Sequence, residues 1–390
     1  MNKKIFLVVI FIFLNIISFG EDAFSQISYF NKKVNIGLTS MAKKSIYLKA
    51  IGGDLFVDLG SYEFVLYQDE SINITSNNQG KIIIKSNMTE SVSVVKKDIT
   101  ALIGISIDGK NYRTYRGDMK FFNINQTVLP INTLFLEEYL YSVVPSEIGT
   151  FFADEAIKAQ IVAARSYTYA NLKENCNLKY ELEDGTDSQM YLGYQRENSK
   201  INKFVNDTAG EVACFDNVPI TAYYHSTSGG KTANIEDVWG GNPIPYLKSI
   251  DDTGNGDESP RASWTYRISK SELSKIFGFK VLDIQIDEIK DERVKMISVL
   301  GKNSIQITSN ELRKRIGYNK IFSTKFELFN DGNDFIFKGS GSGHGVGLSQ
   351  WGANGLALKG KNYKEILSFY YTGITIINLE KKEKYDIINR

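Results

Sequence analysis

Between residues 34 and 86 the chain repeats one kind of segment. VNIGL, SIYLKA, LFVDL, EFVLY, SINIT and KIIIKS are short β-branched and aromatic runs broken by Gly, Asn and Asp. Runs of that length and make-up, punctuated by turn-formers, read as strands. Further on, ISIDGKNYRTYRG sets Asp108-Gly109 between two strand-like runs, a hairpin signal. Residues 30–130 therefore predict a β scaffold or substrate-supporting lobe, with no chemistry of its own.

The character changes at residues 131–180. LFLEEYLYSVV suggests a short helix, which Pro145-Ser146-Glu147 is expected to break. From Asp154, DEAIKAQIVAARSYTYANLKE reads as one long helix, with Asp154 and Glu155 in its first turn, where the macrodipole favours acids. Alanines at 156, 159, 163, 164 and 170 leave little bulk, so a neighbouring backbone can approach closely. Residues 185–260 are mixed, and TGNGDESP at 253–260 reads as a linker. Residues 264–338 predict a compact α/β module. Ser269 with Glu272 and Thr308 with Glu311 match capping boxes, Gly317 matches a C-cap, and VLDIQI, KMISVL, SIQIT, KFELF and DFIFK supply strands. A Gly-rich loop, SGSGHGVGLSQWGANG, and a helix, KNYKEILSFYYTG, close the chain.

The expected fold class is α+β. It has a β-rich N-terminal lobe, a central Ala-rich helix beside a catalytic loop, an inserted small α/β module and a groove between lobes. The expected boundaries are a leader at 1–20, a β-rich region at 25–100 and a catalytic domain at 101–376 that carries 264–338 as an insertion. A length of 390 residues suits one large core or two ordinary domains. Hydrophobic residues at 42% and charged ones at 23% make the chain globular. Forty-six basic residues against 45 acidic ones give no general electrostatic case for nucleic acid.

The N-terminus, MNKKIFLVVIFIFLNIISFGED, has the layout of a secretory leader. Lys3 and Lys4 form its basic region, residues 5–14 its apolar run, and Ser18 and Gly20 its small residues before a cut ahead of Glu21. The apolar run is shorter than the ~20 residues of a spanning helix. The chain is therefore expected in the cell envelope (periplasm, wall or extracellular), with the leader cleaved or kept as an anchor. Cys176 and Cys214 form either one disulfide or two thiols.

Several chemistries find no support. Cys176, Cys214, His225 and His344 offer no close pair for a metal. No GxSxG, GxxxxGK[ST] or GxGxxG occurs. Three polar clusters remain. One is Ser146-Glu147 with Lys158 and Arg165, which are seven residues apart and so share a helix face. Another joins GTDSQMYLG, with Ser188, Gln189 and Tyr191, to AYYHSTSGGKT, with Tyr224, Ser226 and Ser228. The last is GHGVGLSQWGA, with His344 and Gln350. Glycine-flanked Ser, His and Gln are what a sugar cleft requires: close backbone approach and neutral donors and acceptors. Glu147, Arg165, Gln189, Tyr224, Ser226, His344 and Gln350 are expected to line one groove. A two-carboxylate hydrolase that pairs Glu147 with Asp154, Glu155 or Asp187 fits the residues too.

Five segments in this order, YLYSVVPSEIGTFFADEAIKAQIVAARSYTYA, SQMYLG, AYYHSTSGGKT, VWGGNPIPYL and GHGVGLSQWGA, resemble the stage II sporulation protein D (SpoIID/LytB) family. The resemblance runs from about Tyr112 to Ile376 and leaves out what precedes residue 100. It implies a peptidoglycan lytic transglycosylase acting on glycan strands stripped of stem peptides, with the catalytic Glu at Glu147 and the matching Lys and Arg at Lys158 and Arg165. Protonated Glu147 would donate to the glycosidic oxygen between MurNAc and GlcNAc. It would then take the proton of the MurNAc C6 hydroxyl, which closes onto C1 to leave a 1,6-anhydro end. Such an acid starts neutral, so burial is expected to raise its pKa toward ~6–7. Lys158 and Arg165 would hold the lactyl carboxylate and sit nearer to it than to Glu147, since cations lower a carboxyl pKa. Some members bind zinc through Cys and His near the SQxY segment; GTDSQMYLG has neither, so no metal or other cofactor is expected. Other relatives modify cell-wall amidases, so the implied partners are glycan strands and an amidase or other wall-remodelling protein.

Overall fold

A computed structural model describes residues 32–172 and 179–379. The leader at 1–20, residues 25–31, Cys176 and the last residues of the Ala-rich segment lie outside the described residues. The chain divides into two compact units, one of residues 1–150, 168–212 and 377–390, the other of residues 151–167 and 213–376.

The first unit begins with the β lobe: β1 (Lys33–Gly37), β2 (Ser45–Ile51), β3 (Leu55–Asp58), β4 (Glu63–Leu66), β5 (Ser71–Ser76), β6 (Ile82–Ile84), β7 (Asn87–Thr89), β8 (Ser91–Lys96), β9 (Leu102–Ser106), β10 (Arg113–Tyr115), β11 (Asp118–Ile124) and β12 (Thr127–Phe135). β1, β12, β11, β8, β3 and β4 are neighbours in one sheet; β10, β9, β2, β5, β6 and β7 form the other. In β2 the buried Ile46, Leu48 and Ala50 alternate with half-buried residues, the signature of a strand with one face on the core. Asp108-Gly109 does join β9 to β10, with Asp108 accepting the amides of Lys110 and Asn111 at 2.9 Å each. Pro130 sits inside β12 at no loss. Its carbonyl faces Leu38, and β1 has already ended at Gly37, opposite Ile131, so no ladder bond is missing there.

Helix α1 (Leu136–Glu147) follows, then α2 (Asp154–Asn171), whose residues 154–167 belong to the second unit; β13 (Leu182–Glu183) and α3 (Ser199–Asp207) lie in the first. The break expected at Pro145 is corrected, because α1 runs through it to Glu147. Proline removes one amide and one helical bond. The last turn still closes: Ile148 N donates to Val144 O at 2.9 Å, and Ser146 Oγ to Ser142 O at 2.7 Å.

Among the described residues the second unit has two cores. Ala156, Ala159, Val162 and Ala163 of α2 pack with Ala213, Ala222, Leu247, Val346, Leu348, Ile366 and Tyr371. This core draws on β14 (Glu211–Phe215), β15 (Val218–Pro219), β16 (Tyr224–His225) and α4 (Ile235–Trp239). The other core belongs to residues 264–339: β17 (Trp264–Ser269), α5 (Lys270–Phe277), β18 (Val281–Lys290), β19 (Arg293–Gly301), β20 (Ile305–Thr308), α6 (Ser309–Ile316), β21 (Phe326–Asn330) and β22 (Asp334–Gly339). Two antiparallel three-stranded sheets, β17-β22-β21 and β18-β19-β20, enclose Leu273, Ile297, Leu312, Phe335 and Phe337 with their helices. Ser269 and Thr308 each accept the amide three residues on, at 3.1 Å.

Two loop expectations are corrected here. The end of the Gly-rich stretch is helical: after β23 (Leu348–Ser349), residues from Gln350 form α7 (Gln350–Leu358), capped by Ser349 Oγ and followed by α8 (Tyr363–Tyr370). TGNGDESP is a packed turn and no free linker. Asp252, Gly256 and Ser259 are buried, and Lys359 Nζ donates to Gly254 O at 2.8 Å. Gly352 and Gly355 explain both. A Cβ at Gly352 would lie 2.1 Å from Tyr370 OH, and one at Gly355 would lie 1.9 Å from Asn255 O. These glycines let a helix touch the turn, so they do not end it.

Candidate functional site

In the first unit, Glu147 ends α1 half-buried, and its Oε1 accepts the Met190 amide at 2.7 Å. The segment that supplies this amide is anchored from below. Gln189 is buried, and its Oε1 accepts from Tyr139 OH at 3.2 Å and Thr168 Oγ1 at 2.9 Å. Tyr191 is buried against Tyr115 and Tyr139, and its hydroxyl donates to Asn132 Oδ1 at 2.7 Å. Burial raises the Tyr191 phenol well above its ordinary value, so it stays a neutral donor. Ser188 Oγ accepts the Glu183 amide at 3.1 Å. Asp184, buried and unremarked in the sequence, ties this loop to the β lobe by accepting from Thr39 Oγ1 at 3.2 Å and Ser40 N at 3.1 Å. Asp187 is exposed.

In the second unit, Lys158 and Arg165 share a face of α2 but not an environment. Lys158 keeps 23% of its side chain exposed and pairs with Glu155 at 2.8 Å, while Arg165 is fully buried. Glu155 also accepts the Tyr363 amide at 2.8 Å. AYYHSTSGGKT and GHGVGLSQWGA, more than a hundred residues apart, are interlocked. β16 lies parallel to β23, with Tyr224 opposite Leu348 and His225 opposite Ser349, and Trp351 N donates to Ser226 O at 3.0 Å. Tyr224 and Ser226 are half-buried. Ser228 is buried, and its Oγ donates to Asp252 Oδ2 at 2.6 Å; Asp252 also accepts from Tyr370 OH at 2.7 Å. Burial raises the Asp252 carboxyl, against those hydrogen bonds. Gln350 is buried, with Nε2 donating to Gln160 Oε1 at 3.3 Å.

The two histidines do form a close pair in space, which the sequence could not show. Their rings are 5.5 Å apart. His225 is buried, with Nδ1 3.1 Å from Val346 O and, among the described residues, no partner for Nε2. His344 Nδ1 accepts the Val346 amide at 3.1 Å. Burial pushes His344 down to about 4, helped by Arg293 and Arg313 and opposed by a backbone hydrogen bond to Tyr224. Burial, His344 and Arg293 hold His225 well below its ordinary value. Both imidazoles are thus neutral near pH 7. Among the described residues no group of three or more His, Cys, Asp or Glu could hold a metal ion. Cys214 is buried.

Sequence reasoning passed over Trp239 and Tyr223. Trp239 is half exposed, with its ring 4.9 Å from Tyr223 and 5.0 Å from His344. An aromatic between a short helix and two glycines was the available signal. Of the residues expected in one groove, Glu147 and Gln189 belong to the first unit; Arg165, Tyr224, Ser226, His344 and Gln350 belong to the second.

The profile of the stage II sporulation protein family matches residues 124–215, the stretch that contains Glu147 and Gln189. An uncharacterized protein of Brachyspira hyodysenteriae is 30% identical over 334 residues, 83% of this chain and 90% of its own length. Stage II sporulation protein D of Bacillus subtilis is 32% identical over 62% of this chain and 74% of its own. A protein of the same bacterium named amidase enhancer is 29% identical over 80% of this chain and 51% of its own. The chain belongs to the stage II sporulation protein D family.

Proposed function

We propose that the protein is an exported peptidoglycan lytic transglycosylase, with Glu147 as general acid and base. Its coarser role, a cell-wall-related one, comes with the family. One observation carries the finer reading: Glu147 is half-buried at a helix end, with one carboxyl oxygen fixed by a main-chain amide. A single oriented carboxyl suffices when the substrate supplies its own nucleophile. Glu147 protonates the glycosidic oxygen after MurNAc, then accepts the proton of the C6 hydroxyl as that oxygen closes onto C1. A hydrolase would need a second carboxylate to activate water. Of the candidates, Glu155 is engaged by Lys158 and an amide, and Asp154 and Asp187 are exposed.

The leader-like N-terminus supports export to the envelope, where the glycan is. Fractionation that found the full-length chain in the cytoplasm would refute it. The relative named amidase enhancer supports a second reading, a wall-binding protein that modifies an amidase without cutting glycan.

Glu147→Gln separates the two readings. Gln keeps shape and hydrogen-bonding reach but cannot pass the proton. Incubated with glycan strands freed of stem peptides, the wild type should release fragments one water lighter than hydrolytic products. The variant should bind but release ~10²–10⁴-fold less. Wild type that binds and yields no anhydro ends leaves the amidase reading. Undiminished release by the variant refutes the role of Glu147.

A further inference from the structure

Beside α4 lies a pocket of about 200 Å³ lined by Trp239 and by none of the sequence-predicted site residues. Its walls are Trp239 at the end of α4, Lys290, Arg293 and Lys295 around the β18–β19 turn, and Ser309 and Asn310 at the start of α6. Three cations there face two carboxylates, Asp237 and Asp291. Each carboxylate already has its own lysine: Lys290 pairs with Asp237, and Lys231 with Asp291.

Arg293 has no such partner. It is only 6% exposed and makes no ion pair among the described residues. Its Nη2 donates to the carbonyls of Ser228 and Lys231 at 2.9 and 3.0 Å, while Nη1 is buried with no acceptor among the described residues. Burial lowers its pKa to about 10, and it stays charged. A buried guanidinium with an unused donor is costly unless something completes it, and a carboxylate is the acceptor its geometry fits. The start of α6 adds to this. Thr308 Oγ1 takes the Glu311 amide, whereas the amides of Ser309 and Asn310 have no acceptor within the helix and stand at its positive end. Trp239 supplies a half-exposed flat surface, backed by Tyr223 and His344.

We propose that this pocket binds an acid-substituted sugar, with Arg293 and the α6 N-terminus taking the carboxylate and Trp239 stacking the ring. The volume, below the ~300–1,000 Å³ of sites for larger ligands, limits it to one sugar residue or its acidic substituent. The choice of N-acetylmuramic acid as that sugar rests on the cell-wall glycan reading; the anion site itself does not.

The test is a titration of the full chain with N-acetylmuramic acid, its methyl ester and N-acetylglucosamine, read by calorimetry. None has a glycosidic bond to cut, so the measurement is independent of catalysis. The free acid should bind about tenfold or more tighter than the two neutral sugars. Arg293→Gln should abolish that preference. Because Arg293 also holds two loops, Asn310→Asp is the safer variant. It places a carboxylate where the helix dipole favours one and where Arg313 Nη1 already donates to the Asn310 side chain at 3.2 Å, so the fold persists while the added negative charge beside the Ser309 amide opposes the anion. Trp239→Ala should weaken all three sugars by a similar factor and leave the preference intact. Equal binding of acid and ester by wild type, or a preference that survives in Asn310→Asp, overturns the proposal. Anhydro-product release without the preference sinks the pocket alone. A preference without product release sinks only the transglycosylase reading.

Discussion

The module at 264–339 and the core around it bury their side chains equally well. Phe335 and Phe337 are fully buried in one, Leu348 and Tyr371 in the other. They are assembled differently. The module is one continuous stretch whose strands pair with near neighbours and whose helices start at side-chain caps. The surrounding core draws on residues 156–163, 213–247 and 346–371, brought together by alanines and glycines. At Gly347, with φ +71°, a Cβ would lie 2.1 Å from Tyr223 O. Periodicity builds the first and close backbone approach the second, so the two should fail under different substitutions.

The sharpest way to break that contrast is Gly355→Ala. On propensity alone, alanine in the middle of α7 should stabilise by ~1 kcal/mol. The 1.9 Å approach to Asn255 O says the opposite, because a methyl group there must push α7 off the turn. We expect a net loss of about 2 kcal/mol in urea unfolding, the upper end of the overpacking cost less the propensity gain. A higher denaturation midpoint would show that the glycine is incidental.

The same contrast governs what was legible. The runs at 34–86, the start of α2 and the Ser269 and Thr308 caps follow from spacing of two to four residues, which a sequence displays directly. The QWGANG helix did not, since glycine reads as loop unless the Asn255 carbonyl it accommodates is known. Pro145 misled because a proline's cost falls on the turn before it, and the last turn still closes through Ile148 N to Val144 O. In the site, Glu147 stood out through family resemblance and its place before an Ala-rich helix. The burial of Arg165, Gln189 and Ser228, and the meeting of His225 with His344, depend on segments far apart in the chain. Arg293 drew no notice in the sequence; only the structure shows a guanidinium with an unused donor.

A smaller effect sharpens the comparison through pH. The chain has two histidines, the buried His225 and the half-buried His344, and neither lies in the module. Both are held below their ordinary pKa, so the unfolded chain binds protons that the folded chain refuses. Their contribution is intact above pH 6.5 and is lost as pH falls toward about 4, the value for His344. For His344 the loss should reach about 2 kcal/mol by pH 5. His344→Gln should therefore have a flatter stability profile than wild type between pH 6.5 and 4.5. Parallel profiles would mean that this imidazole is not desolvated in the folded state.

The smallest effect tests the module itself. Thr308 Oγ1 and Ser269 Oγ each satisfy one amide at a helix start, and each sits at the end of a strand that leads into its helix. Thr308→Ala and Ser269→Ala should each cost about 1 kcal/mol, and Thr308→Gly only a few tenths, because glycine leaves the amide open to water. The two caps share no partner, so the double variant should cost about the sum. That outcome follows if the module is held by local devices that act one by one around its own core. A double variant far worse than the sum would mean that α5 and α6 depend on each other through Leu273 and Leu312, which lie in that core. The module would then be as cooperative as the core around it, and its legibility would reflect its strands and caps without implying that they act independently.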